Sequence, residues 1–290
     1  MAGAGIKVIN KRIRSVKSTQ QITKAMKMVS AAKLRRSQDR LMAARPYSTK
    51  LQALLQRLAG AGSADHPLFE TREVATRLYV VCTSDKGLCG AYNMNVMRAA
   101  HKAIDADIAA GVVVQVVAVG RKAREYFRKR GYDVVAQHDD FGGQASDDKA
   151  RKVTDFVQTR FVTGEVDEVV LAYAEFVSTL TQRPKLAIAL PISPPEVEEG
   201  ADDGPALDYI WEPDKAAIYA ALLPQYLRNR LYLTLCEAFA SEHGARMTSM
   251  SAATQNAGEM IEALTLQRNR ERQAAITQEI SEIVGGAAAL

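Results

Sequence analysis

Three cysteines in 290 residues are too few and too scattered to staple a secreted fold, so a reducing compartment is expected. No apolar run approaches the roughly 18–20 residues a membrane span requires, which argues against an integral membrane protein. The start of the chain shows no hydrophobic signal-peptide core. Acids are nearly missing there too: residues 1–60 hold 14 lysines and arginines against the single acid Asp39. Aromatic residues are missing from residues 1–46 altogether, so a single-stranded nucleic acid would find no stacking platform. The remainder, 47% hydrophobic and 24% charged, excludes a disordered tail and leaves room for a sizeable core.

The net charge of +5 is therefore an average over unlike parts. Residues 1–60 carry a net +13, residues 61–212 hold 17 basic against 24 acidic residues, and residues 213–290 hold 7 against 8. A basic arm of that density calls for an acidic partner, whether nucleic acid, lipid or protein. An acid-free amphipathic start also resembles a mitochondrial transit peptide, but its helical pattern continues to Leu58, longer than a disposable leader needs.

Residues 6–58 read as helix. Ile6, Ile9, Ile13 and Val16 follow helical spacing; after a polar step through Gln20 the pattern resumes at Ile22, Ala25, Val29 and Ala32, and Tyr47, Leu51, Leu54 and Leu58 close it. This predicts a narrow coiled-coil seam with a one-residue phase slip, kinked or divided at Pro46 and ended by Gly60, Gly62 and Ser63. A second long helix is expected over 214–284, with Pro224 near its start and Gly285 and Gly286 at its end. From Leu222, steps of 4, 3, 4, 3 pass through Tyr226, Asn229, Leu233, Cys236, Ala240, His243, Met247, Met250, Thr254, Ala257, Ile261 and Leu264, and Ile276, Ile280 and Ile283 form a further stripe.

The middle of the chain has a different grammar. The β-branched runs at 77–83, 112–119, 132–136, 168–176 and 185–192 read as strands, and helical stretches at 93–110, 121–130 and 147–163 separate the first four. The short link at 177–184 predicts an antiparallel pair at one edge. Residues 193–213, rich in proline, glycine and acid, read as a connector with an exposed loop. Unbroken, the second helix would extend roughly 105 Å, more than a compact domain of about 120 residues buries. Each long helix needs another beside it. The expected class is α/β: a long antiparallel coiled coil of the N- and C-terminal helices (1–60 and 214–290) with a central Rossmann-like domain (74–213) built on a mostly parallel sheet.

Sites of chemistry are scarce. The loop SDKGLCGAYN at 84–93 follows the first strand, where parallel sheets hold ligands, but it matches neither GxGxxG nor a P-loop, so a shaped turn is the simpler reading. The same holds for the basic helix start after Val119. Cys82 and Cys89 lack the histidine or cysteine neighbours of a zinc site and read as free thiols. Cys236 and His243 lie on the second seam and read as packing residues. Asp139, Asp140, Asp147 and Asp148 bracket Phe141, Gly142 and Gly143 and read as a solvated loop and helix start. Neither a nucleophile elbow nor a triad order is present.

Three stretches carry a resemblance: SVKSTQQITKAMKMVSAAKLRRSQ at 15–38, the loop SDKGLCGAYN, and the C-terminal ASEHGARM, ATQNAGEMIEALTLQRNRERQ and AAITQEISEIVGGAAAL. Together, and in this order along the chain, they resemble the gamma-subunit family of the F-type ATP synthases. The resemblance implies a rotor shaft whose terminal helices turn inside a ring of alternating alpha and beta subunits, while the globular domain docks on the epsilon subunit and the membrane c-ring. It implies no catalysis by this chain, no cofactor, no metal, no nucleic acid and no membrane insertion. It places Lys24, Met26 and Lys27 near an acidic loop of beta, Arg246, Gln273 and Thr277 against beta and alpha loops, and the tip from Ile283 to Leu290 in an apolar sleeve. Lys86, Gly87 and Gly90 would belong to the docking foot. The location implied is peripheral, on the cytoplasmic face of a bacterial inner membrane, or the matrix side of the mitochondrial one for a processed chain; the lack of a presequence favours a bacterial or mature chain. The cysteine-bearing insert of chloroplast members is not matched here, and the acidic connector at 196–204 receives no role. The alternatives are a nucleotide-binding α/β enzyme with a coiled-coil oligomerisation arm, motivated by the 84–93 loop, and a basic nucleic-acid binder.

Overall fold

The computed structural model describes residues 2–60, 66–193 and 214–288. Two compact bodies make up the chain: Met1–Ser30 with Arg246–Leu290, and Ala31–Ala245. Helix α1 (Ala2–Gly60) and helix α5 (Lys215–Ala288) each contribute to both.

The second body is built on a five-stranded sheet. Its strands are β1 (Thr76–Cys82), β2 (Val113–Val119), β3 (Val134–His138), β4 (Glu168–Phe176) and β5 (Gln182–Leu190), in the order β3-β2-β1-β4-β5. The first three neighbour pairs are parallel; β4 and β5 form the expected antiparallel edge pair. Helices α2 (Tyr92–Ala109), α3 (Arg121–Arg128) and α4 (Asp147–Val162) are the crossovers. The strand runs lack polar alternation because both faces are covered. On one face Tyr79, Val81, Val116, Ala118 and Ala172 pack with Val96, Ile104 and Phe127 of α2 and α3. On the other, Leu78, Val80, Val117, Val119 and Leu171 pack with Val153, Val157 and Phe161 of α4 and with α5.

The seam of α5 departs from expectation here. Its buried line is Tyr219, Leu223, Leu227, Leu231 and Leu235, while Leu222, Tyr226 and Leu233 are only partly buried. Each step of four advances about 40° beyond a full turn, so the line winds around the helix to stay on the sheet. From Thr234 to Gly244 all residues except the half-buried Glu237 are buried. Such a helix segment is enclosed on every side. Leu223→Ala, at a fully enclosed site, should cost about 2–5 kcal/mol in urea unfolding of the subunit. Leu222→Ala should cost clearly less; equal losses would refute the winding stripe.

In α1 the phase slip does not occur. Ile9, Ile13, Thr23, Ser30, Leu34, Ser37, Leu41, Leu51 and Leu55 are buried, and all fall on one 4-3 repeat. Ile22 and Val29, expected on the seam, are each 57% exposed, and Ala25, Ala32, Tyr47 and Leu54 also face solvent. Leu58 lies outside the described side chains. Hydroxyl residues can occupy seam positions because they bond locally: Thr23 Oγ1 donates to the Gln20 carbonyl at 3.0 Å. Pro46 does not divide the helix; it sits on the exposed face, where water can satisfy the carbonyl it frees. Gly285 and Gly286 likewise lie within α5.

In the first body α1 and α5 run antiparallel. Ile9 and Ile13 pack with Leu264, Thr254 Oγ1 lies 2.8 Å from Thr23 Oγ1, and Gln20 Nε2 donates to the Thr254 carbonyl at 3.4 Å.

Candidate functional site

The carboxyl edge of the sheet, where a parallel α/β domain would hold a nucleotide, is occupied by the chain itself. At the switch point between β1 and β4, α5 lies over the edge: Ser241 Oγ donates to the Ala174 carbonyl at 2.9 Å, and Tyr92 Oη donates to the Ala238 carbonyl at 3.0 Å. The first three amides of α3 are all bound internally. Arg121 N donates to Asp85 Oδ1 at 3.2 Å, Lys122 N to the Ser84 carbonyl at 3.2 Å, and Ala123 N to Thr83 Oγ1 at 2.8 Å. An anion at this helix start would have to displace a carboxylate of the protein. The 84–93 loop is closed on itself as well: Ser84 N donates to Asn93 Oδ1 at 3.0 Å, and Asn93 Nδ2 donates to Ser84 Oγ at 2.8 Å and Cys89 Sγ at 3.2 Å. Its Lys86, Gly87 and Gly90 are exposed, with Gly90 at φ +58°.

The three cysteines form no disulfide with one another and are buried. Burial pushes Cys82 up to about 12, and burial above all pushes Cys236 up to about 11, both far from a reactive thiolate. Among the described residues there is no cluster of three or more metal-ligating side chains, and no helix is long and apolar enough to cross a membrane. One cavity of about 330 Å³ opens between α1, α5 and the β4–β5 edge, lined by Tyr173, Lys185, Arg230 and Glu237 among others. Its cations are already engaged, Lys185 Nζ with Glu175 at 2.7 Å and Arg230 Nη2 with the Ile188 carbonyl at 2.5 Å. Burial, with Glu175 adding to it, raises the Glu237 carboxyl.

What the chain does present is surface. On the first body, Lys7, Lys11, Arg12, Arg14, Lys17, Lys24 and Lys27 are all exposed, and Val8, Ile22, Met28 and Val29 stand out beside them. Met26 is half-buried between Lys24 and Lys27. Arg246 is 9% exposed on α5. Further along, Gln273 and Thr277 share an exposed face, where Thr277 Oγ1 donates to the Gln273 carbonyl at 2.9 Å. Ile276, Ile280 and Ile283 are 48%, 56% and 71% exposed, an apolar stripe open to solvent. Leu290 and the acidic connector at 196–204 lie outside the described residues.

A site the sequence reading passed over is the 139–146 loop between β3 and α4. It is not a solvated loop: Phe141 and Ala145 are each 5% exposed. Three of its carbonyls, those of Gly142, Gly143 and Ala145, reach both long helices of the second body. Lys33 Nζ donates to the Gly142 carbonyl at 2.9 Å, and Arg40 Nη1 to the Ala145 carbonyl at 2.8 Å, both from α1. From α5, His243 Nε2 lies 2.7 Å from the Gly143 carbonyl, so that nitrogen carries the proton. Phe141 packs against Phe239 of α5 with tilted rings whose centroids are 5.5 Å apart. Asp140, Gly142 and Gly143 have φ of +61°, +61° and +70°, the turns that aim these carbonyls outward. The expected helix start is present, and Ser146 caps it, its side chain accepting from the Lys149 amide.

Comparison with known proteins agrees in sequence and in fold. Residues 5–290 match the family model described as ATP synthase. The ATP synthase gamma chain of Desulforamulus reducens is 50% identical over 289 residues, covering 99% of each chain. That of Pelotomaculum thermopropionicum is 48% identical, covering 97% of this chain and 98% of its own. Among solved structures, a chain of the Euglena gracilis mitochondrial ATP synthase (OSCP/F1/c-ring, rotational state 3) superposes with a TM-score of 0.72 at 20% identity, covering 99% of this chain and 95% of that one. A chain of the Tetrahymena thermophila mitochondrial ATP synthase central stalk/c-ring gives 0.61 at 22% identity, over 80% and 99%.

Proposed function

The chain belongs to the ATP synthase gamma-chain family, and from that premise we propose that it is the central-stalk rotor of an F-type ATP synthase. It couples proton-driven rotation of the membrane ring to conformational cycling of the catalytic beta subunits, in synthesis or, reversed, in hydrolysis. The observation that carries this reading is the open apolar stripe Ile276, Ile280 and Ile283 at the far end of α5, which calls for an enclosing partner.

In this role the chain performs no chemistry. It acts by touching each of the surrounding subunits differently as it turns, which is the differential interaction a conformational change requires. The exposed side chains of Lys24 and Lys27 supply a handle for an acidic beta loop, with the half-buried Met26 beside them in the sequence. Arg246 and the Gln273–Thr277 face supply directional contacts further along α5. The terminal stripe is free of charge at Ile276, Ile280 and Ile283, so contact there resists rotation weakly, as a bearing should. The exposed Lys86, Gly87 and Gly90 face the epsilon subunit and c-ring. The chain is peripheral, on the cytoplasmic face of a bacterial inner membrane or the matrix side of a mitochondrial one.

Co-purification tests the reading: the tagged chain should bring down alpha and beta subunits, and a monodisperse monomer that ignores them would overturn it. A sharper test is the double reversal Lys24→Glu, Lys27→Glu. Because both side chains are exposed in the free subunit, each contact is worth about 1 kcal/mol or less. Coupled ATP turnover of the assembled complex should fall about fivefold while the melting temperature of the subunit stays put. Unchanged coupling removes these lysines from the role.

A further inference from the structure

A rotor has to pass torque between its globular domain and its two long helices, and the second body contains one element placed to do so. We infer that the 139–146 loop is the torque-bearing clasp between the α/β domain and the helix pair, an inference that rests on the rotor function proposed above. Apolar packing resists separation well but resists sliding and rotation weakly, because one apolar neighbour substitutes for another. Directional bonds to a stiff backbone resist both.

The loop supplies such bonds to each helix. Two cations of α1, Lys33 and Arg40, hold the carbonyls of Gly142 and Ala145 at 2.9 and 2.8 Å. One imidazole of α5, His243, holds the Gly143 carbonyl at 2.7 Å from a site only 2% exposed. Both donor sets grip three carbonyls within four residues, so the helices cannot turn against the domain, or against each other, without breaking them. The loop is anchored at its back: Gly142 N donates to Asp85 Oδ2 at 3.4 Å, and the other oxygen of that carboxylate accepts from Arg121 N at 3.2 Å. Strain therefore passes into the loops at the carboxyl ends of β1 and β2.

Two features of the loop are explained by this role. Gly143 must lack a side chain, since a Cβ there would lie 2.6 Å from both Cε1 and Nε2 of His243. Three positive-φ residues in four concentrate backbone bends where carbonyls must point at two helices at once.

The test uses the assembled holoenzyme in inverted membrane vesicles, with the variants His243→Leu, Gly143→Ala and the pair Lys33→Met, Arg40→Met. With an uncoupler present the rotor turns without load, and ATP hydrolysis should stay within about twofold of the unmodified enzyme. Without it, the proton gradient at stall should fall at least about threefold, because load is what a slack clasp fails to carry. His243→Gln, which keeps a side-chain N–H for the Gly143 carbonyl, should recover most of the loss. A merely structural role would lower uncoupled hydrolysis and the gradient together, in proportion to the complex assembled, and that outcome overturns the clasp. So does an unchanged gradient. If Gly143→Ala fails to assemble, the double variant, whose side chains are only half-buried, decides the matter alone. Absence of coupling with the unmodified chain would instead overturn the rotor function, so the two failures are distinguishable.

Discussion

Gly120→Ala is expected to cost more than about 4 kcal/mol and to abolish recovery of the assembled complex. Gly120 follows β2 at φ +89°, a conformation that L residues rarely adopt. A Cβ at this position would lie 2.3 Å from the Thr83 carbonyl oxygen and 2.9 Å from its carbon. These are backbone atoms, and they are pinned. Thr83 N donates to the Val119 carbonyl at 2.8 Å, Gly120 N to the His138 carbonyl at 2.9 Å, and Ala123 N to Thr83 Oγ1 at 2.8 Å. Relief of the clash would pull apart the carboxyl edge of three adjacent strands. Gly131→Ala is the control: its φ is +79° but a Cβ meets nothing within 4 Å, so only backbone strain of about 1–2 kcal/mol applies. Thermal unfolding of the two variants separates the effects. A Gly120→Ala subunit melting as high as Gly131→Ala would refute the argument.

Gly120 also marks the boundary of what the sequence discloses. The runs at 77–83, 112–119 and 168–176 announce strands because all their residues except Arg77, Gln115, Glu168 and Glu175 are apolar or β-branched, as burial on both faces requires. The short link after Phe176 announces its antiparallel partner for the same reason of economy. The seam of α1 is harder. Thr23, Ser30 and Ser37 are buried, yet hydrophobic periodicity counts them as polar and therefore reports a slip that is absent. On α5 the difficulty is the reverse. Leu222 and Leu223, and Tyr226 and Leu227, are adjacent apolar choices, so spacing alone cannot say which faces the sheet. The clasp is invisible for a third reason: it acts through carbonyls of Gly142, Gly143 and Ala145, and backbone groups leave no mark in composition. Gly-rich and flanked by acids, it looks solvated. Lys24, Lys27, Gln273 and Thr277 are likewise ordinary exposed residues; only family resemblance singles them out.

Arg77→Met is expected to destabilise the subunit by about 3–5 kcal/mol, the usual cost of removing one partner from a buried ionic cluster. Arg77 lies near the start of the central strand β1, paired in register with Glu168 of β4. Its Nη1 bonds Asp107 at the end of α2, and its Nε lies 2.6 Å from Glu168 Oε1, an ion pair not aligned for a hydrogen bond. Tyr79 Oη donates to Asp107 Oδ2 at 2.5 Å. Burial alone would lower the guanidinium pKa, but Asp107 and Glu168 outweigh it and hold it above its ordinary value. With methionine in its place, two carboxylates that are only 15% and 13% exposed face each other without a counter-charge. Adding Asp107→Asn and Glu168→Gln should recover about 1–4 kcal/mol, since neutral groups can share the site without a cation. Urea unfolding of the single and triple variants makes the comparison. A triple variant no more stable than the single one would mean that Arg77 acts through packing, and that the two carboxylates it joins find their stabilisation elsewhere.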